Sequence, residues 1–177
     1  MSKRRSFMAI ITALTVFCLV GIVGCSQIPT ANDEAEQSDN QVLLKRSPSA
    51  AKILGDSAYV EVIVSADQGG VVSLFDVELS FPPKALNNDT LISISIPDMF
   101  VFANNFGTDG LVFNVPVHAK MSYRDADLSG VDEDRIKMAW YNDASDHWDI
   151  IDCELDTVDK TVTAYITHFS AYGLISD

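Results

Sequence analysis

Downstream of residue 50 the apolar and polar positions of this chain alternate with a period of two. "FDVELSF" sets Phe75, Val77, Leu79 and Phe81 on one face and Asp76, Glu78 and Ser80 on the other. "LISISIP" repeats the pattern with Ile92, Ile94 and Ile96. "LVFNVPVHAKMSY" sustains it over an unusual length, placing Leu111, Phe113, Val115, Val117, Ala119, Met121 and Tyr123 on one side. "RIKMAWY" offers Ile136, Met138 and Trp140, and "TVTAYITH" offers Val162, Ala164, Ile166 and then His168. Each stretch predicts a strand half-buried against a shared core.

Turn signals separate these strands: Gly69-Gly70, Pro82-Pro83, Asn87-Asn88-Asp89, Gly107 to Gly110, Ser129-Gly130 and Asp143 to Asp146. No segment after residue 50 keeps a helical period over three turns. The expected fold is therefore all-β: one antiparallel β-sandwich over 50–177 with Greek-key-like connections. Gly69 and Gly70 are expected to reverse the chain at positive φ, and the two prolines to end the strand before them. Pro116 predicts an edge position or a switch between sheets, because a proline donates no ladder hydrogen bond. Trp140 and Trp148 are expected in the core, where their large apolar area counts most.

The first 24 residues read differently. Lys3, Arg4 and Arg5 precede an uncharged apolar run from Phe7 to Val23, the layout of an export signal. An uncleaved anchor is the competing reading, but the run ends on a small residue and a cysteine rather than a basic stop-transfer cluster. Ile22, Val23 and Gly24 before Cys25 resemble the lipobox of bacterial lipoprotein signal peptides. That resemblance implies cleavage before Cys25 and a diacylglyceryl thioether on its thiol, with palmitate among the acyl groups. Two or three chains, at about 0.8 kcal/mol per buried methylene, would hold the protein on a bacterial membrane. Ser26 rather than aspartate follows Cys25, which in a Gram-negative cell implies the outer membrane. Residues 25–49, polar and acidic, are expected to form a disordered tether with a reach of roughly 25 Å.

Cysteine and charge narrow the chemistry. Cys18 would leave with the signal and Cys25 would carry lipid, so Cys153 stands alone and no internal disulfide is expected. Asp152 and Glu154 flank it, the wrong neighbours for a reactive thiolate. Loss of Lys3, Arg4 and Arg5 takes the formal charge from -13 to -16. Such a surface excludes nucleic acid as a partner and leaves the lipid, not electrostatics, to hold the membrane.

The order of pieces "GGVVSL", "VELSFPPKAL", "DTLISISI", "FGTDGLVFNVPV", "MAWYND", "HWDII" and "THFSAYGL" resembles the ZU-five domain, the β-sandwich shared by ankyrins, netrin receptors and zonula occludens proteins, over about residues 58–177. Relatives act mostly as interaction modules, which implies a protein partner in the envelope whose identity does not carry over. Some relatives cut their own chain at His-Phe-Ser. Here that implies Ser170 Oγ attacking the Phe169 carbonyl, with His168 as base. The step needs an activated hydroxyl and a strained peptide. The competing reading makes Phe169, Tyr172 and Leu174 core residues and Ser170 a bend.

Two further constellations are candidates. Asp125, Asp127, Ser129 and Gly130 share the one-three-five-six spacing of a calcium loop, yet Ile136 stands where a bidentate glutamate belongs. A solvated acidic loop is the expected state. His118, His147 and His168 lack zinc spacing, and by parity His118 faces away from the core that His168 enters. No phosphate loop, dinucleotide fingerprint or nucleophile elbow occurs, and no cofactor is expected beyond the lipid on Cys25. The expectation is a lipid-anchored, non-enzymatic interaction or structural module; self-processing at Phe169-Ser170 is the alternative. A carbohydrate binder or small hydrolase is a third, which would show exposed aromatics or facing carboxylates on a concave patch.

Overall fold

The computed structural model describes residues 41–176. The expected signal segment, Cys25 and the first part of the tether lie outside the described residues. β1 (Val42–Leu43) and a short helix α1 (Pro48–Leu54) lead into β2 (Ala58–Val64), β3 (Gly70–Leu74), β4 (Val77–Phe81), β5 (Thr90–Ile96) and β6 (Ala103–Gly107). Then come β7 (Val112–Ser122), a 3-10 turn (Glu133–Arg135), β8 (Lys137–Asn142), β9 (His147–Ile150), β10 (Cys153–Asp156), β11 (Thr161–His168) and β12 (Ala171–Ser176). One sheet runs β2-β5-β6-β12-β8-β9, with β1 also on β12, and the other runs β10-β11-β7-β4-β3. Every strand pair is antiparallel. This is the all-β sandwich the alternation predicts. Among the described residues no helix is long and apolar enough to cross a membrane.

The inward positions are the expected ones in most strands. Val77, Leu79, Phe81, Ile92, Ile94, Ile96, Val117, Ala119, Met121, Val162, Ala164 and Ile166 are all buried. Between the sheets at one end, Phe169 meets Phe113 at 4.9 Å and Phe81 at 6.1 Å edge-on, while Phe106 stacks on Tyr172 at 5.3 Å. Such geometries add to simple burial because ring edges and faces carry opposite partial charge.

Four expectations need correction. Phe75 is not in the core: it is the first of two residues in the β3–β4 turn, at φ 51°, and 59% exposed. Val115 is exposed, because β7 bulges there: Ile166 pairs with Val117 while His168 pairs with Val112. Pro116 sits in that bulge on a central strand, neither at an edge nor at a sheet switch; the bulge removes the need for its missing N–H. Trp140 is half-buried against the core, but Trp148, paired with Tyr141, lies on the outer face. A Cβ on Gly173 would stand 2.8 Å from Leu43 Cδ2, 2.9 Å from the Phe102 carbonyl and 3.3 Å from the Trp148 ring. Glycine lets the strand and these neighbours close over it.

The domain also begins earlier than residue 50. Val42 and Leu43 pair with Ser176 and Ile175, and Leu44 is buried. Arg46 is 3% exposed. Its Nη1 donates to Asp76 Oδ2 at 2.6 Å, its Nη2 to Asp76 Oδ1 at 3.2 Å, and its guanidinium lies 4.0 Å from the Phe102 ring centroid. Ser47 then caps α1, accepting from the Ala50 N–H, with Pro48 in the first turn. The polar composition of 41–49 conceals one apolar anchor and one paired cation.

Candidate functional site

The terminal motif is held on every side by local structure. The Phe169 N–H donates to the Leu111 carbonyl at 2.9 Å, and its own carbonyl accepts from Gly110 at 3.2 Å. The Ser170 carbonyl accepts from the Phe106 N–H at 3.2 Å. Ser170 Oγ donates to the Tyr141 carbonyl at 3.0 Å. The His168 ring packs edge-on against Trp140 at 4.8 Å, and the His168 carbonyl accepts the Tyr172 hydroxyl at 2.9 Å. His168 therefore turns toward the core as parity predicts, and Phe169, Tyr172 and Leu174 are buried. The serine hydroxyl is engaged with a backbone carbonyl rather than with the imidazole. Burial pushes the Tyr172 phenol above its ordinary range, so it stays a neutral donor.

The acidic loop spends its groups locally. The Asp125 carbonyl accepts from the Ser47 N–H at 2.7 Å, the Asp127 N–H donates to the Lys45 carbonyl at 2.9 Å, and Asp127 Oδ1 accepts from the Ser129 N–H at 3.0 Å. The Ser129 hydroxyl, with that amide, holds the Asp127 carboxyl below its usual range. Among the described residues no group of three or more metal-type side chains converges. The loop instead clasps the segment carrying Lys45 and Arg46. Beneath it, Tyr123 donates to Glu133 Oε1 at 2.8 Å and Lys160 bonds the same carboxylate. Lys160 and Tyr123 together lower the Glu133 carboxyl, while burial, then Glu133, raises the Tyr123 phenol. Cys153 is half-buried, and its sulfur accepts from the Met138 N–H at 3.4 Å.

The outer face of the five-stranded sheet aligns Val71, Ser80, His118 and Tyr165 in one row across β3, β4, β7 and β11. His118 and Tyr165 meet edge to face at 5.3 Å. A shallow cavity of about 280 Å³ beside them is lined by Asp152, Glu154, Thr163 and the same two rings. His147 lies apart, exposed at the start of β9.

The remaining surface of note is β2, the outermost strand of its sheet. Because the Phe106 N–H donates toward β12, to Ser170, the residues of β6 that bond β5 are its neighbours Asn105 and Gly107. Alternation then turns Ile92, Ile94 and Ile96 of β5 toward β2, where they bond Val62, Val60 and Ala58. The amides and carbonyls of Tyr59, Glu61 and Ile63 consequently point away from the sheet, and no described group pairs with them. On the outer face beside this edge, Tyr59 is 61% exposed, Ile63 70% and Leu91 50%. Glu61 is the strand's one charge, and it accepts the Tyr59 hydroxyl at 2.6 Å.

No protein-family model matches this chain, and no curated protein matches it. Sequence reasoning missed two features of these candidate surfaces. The β2 edge carried its own signal, seven residues of "AYVEVIV" with one charge and no proline. The Tyr141 carbonyl that takes the Ser170 hydroxyl carried none, because that pairing depends on the register of β8 beside β12.

Proposed function

We propose that this protein is a lipid-anchored component of a bacterial envelope whose ZU-five-like sandwich acts as a non-enzymatic interaction module. Cys25 bears the lipid, and the tether holds the domain off the membrane. The observation that carries the reading is the open β2 edge. A long, nearly uncharged strand with outward-facing amides is a template for pairing, and soluble proteins ordinarily blunt such edges. The engagement of Ser170 with Tyr141 favours this over self-processing, and the acidic charge favours protein over nucleic acid. In cells, a photo-crosslinking residue at position 63 is expected to give a defined product and one at Asp143 none. Equal or absent products at both positions would refute the reading.

One observation favours a second reading, a glycan binder: the exposed Tyr165 ring beside His118, with Asp152, Glu154 and Thr163 at hand as hydrogen-bonding groups. Titration with soluble peptidoglycan fragments would then shift the NMR signals of Tyr165 and His118, and Tyr165→Ala would abolish the shifts. No shift at saturating ligand would remove this reading.

A further inference from the structure

Among the described residues the two strand orders end on β2, β9, β10 and β3, and the last three are short. β9 and β10 have four residues each, the first carrying Asp149 and the second Glu154 and Asp156; β3 has five and opens on a glycine. β2 has seven, with Glu61 alone charged. β9 and β10 are shorter and charged, and β3, though uncharged, is shorter by two residues, so length with a single charge concentrates pairing propensity on β2.

We propose that the β2 edge pairs with the β2 edge of a second copy, antiparallel about a two-fold axis through Val60, joining two sheets into one. The inference rests on the interaction reading above and names its partner. Tyr59, Glu61 and Ile63 are the residues whose backbone groups face outward, so three symmetric registers pair more than one of them with its counterparts. Centred on Glu61 it sets two carboxylates opposite each other, which is repulsive. Centred on Val62 it sets each carboxylate opposite Ile63, which desolvates a charge that keeps only its own tyrosine hydroxyl. Centred on Val60 it sets Tyr59 opposite Glu61 twice, each pair exchanging both backbone hydrogen bonds. Every carboxylate then lies between two tyrosine hydroxyls, its own at 2.6 Å and its partner's. The edge is thus complementary to itself in the way an isologous contact requires. A lipid at Cys25 would confine copies to one plane and raise their effective concentration.

Sedimentation equilibrium on the chain from Ser26 to Asp177, which holds the whole described core, tests this. The wild type is expected to populate a species of twice the monomer mass as concentration rises. Glu61→Pro removes an outward amide that bonds nothing within the monomer, so it is expected to keep the strand content and lose the dimer. Should Glu61→Pro fail to fold, two exposed-site variants decide. Tyr59→Glu places like charges across the axis and is expected to weaken association at least ~10-fold; Tyr59→Lys places opposite charges and is expected to match or exceed wild type. A dimer indifferent to all three changes overturns the proposal. So does a monomer at every concentration: if residue 63 still crosslinks to a different protein in cells, only the second copy is refuted, and if it crosslinks to nothing, the interaction reading falls as well.

Discussion

Removing one partner of the Arg46–Asp76 pair should reveal how the segment before α1 is locked to the sandwich. The Arg46 side chain is 1% exposed and the Asp76 side chain 13%, so the two are not equivalent. Asp76→Ala strands a guanidinium in the interior with its Nη groups unpaired and its Nε already without a partner. Breaking a buried pair from this side costs about 3–5 kcal/mol. Arg46→Met keeps the apolar stem against Phe102 and strands only a carboxylate in a hairpin turn, where water reaches it. That should cost about 1–2 kcal/mol. The double variant Arg46→Met/Asp76→Ala leaves no stranded charge and should be more stable than Asp76→Ala alone. For a domain of this size Asp76→Ala lowers Tm by about 10–15 °C. Urea unfolding followed by tryptophan fluorescence measures all three, with the denaturant slope expected to stay constant. Asp76→Ala within 1 kcal/mol of wild type, or Arg46→Met worse than Asp76→Ala, would refute the reasoning.

A chain that begins at Ala50 loses β1, Leu44 and Arg46 together; burial of a leucine alone accounts for about 2–5 kcal/mol, so it should unfold at far lower urea than a chain beginning at Gln41. Equal midpoints would return those residues to the tether. Phe75→Gly relieves a left-handed backbone at an exposed turn residue and should stabilise by about 0.5 kcal/mol; a loss above 1 kcal/mol in the same assay would mean that the ring packs in solution. Stability should fall at both pH extremes. Glu133, lowered by Lys160 and Tyr123, stabilises the fold above its unfolded pKa near ~4.3 and loses that contribution as acid protonates it; Tyr123 and Tyr172, raised by burial, hold theirs below ~10 and lose it as base ionises the unfolded chain first. A urea midpoint that stays level from pH 3 to pH 11 would contradict both assignments.

The sandwich was legible because half-buried strands write their period into the sequence: Ile92, Ile94 and Ile96 could face only one way. What escaped was decided by tertiary register. Phe75 continues the apolar parity of β4, yet the turn needs a residue there and takes it out of line. Val115 keeps parity with Val117, but the bulge around Pro116 breaks the pleat between them. Arg46 looks like a tether residue because nothing local announces that Asp76, thirty positions on, will meet it. At the terminal motif, parity oriented His168; Phe169, one position out of step with it, is buried because β11 ends at His168 and the chain bends before β12. The direction of the Ser170 hydroxyl came from β8, a strand with no sequence link to it.

Intact mass of the protein purified from its native membrane bears most directly on the central claim, an anchored module that performs no chemistry on itself. The predicted species begins at a diacylglyceryl-modified, acylated Cys25 and carries Phe169 and Ser170 in one unbroken chain. A chain that starts at Met1 without lipid, or one lacking Ser170 to Asp177, would contradict it.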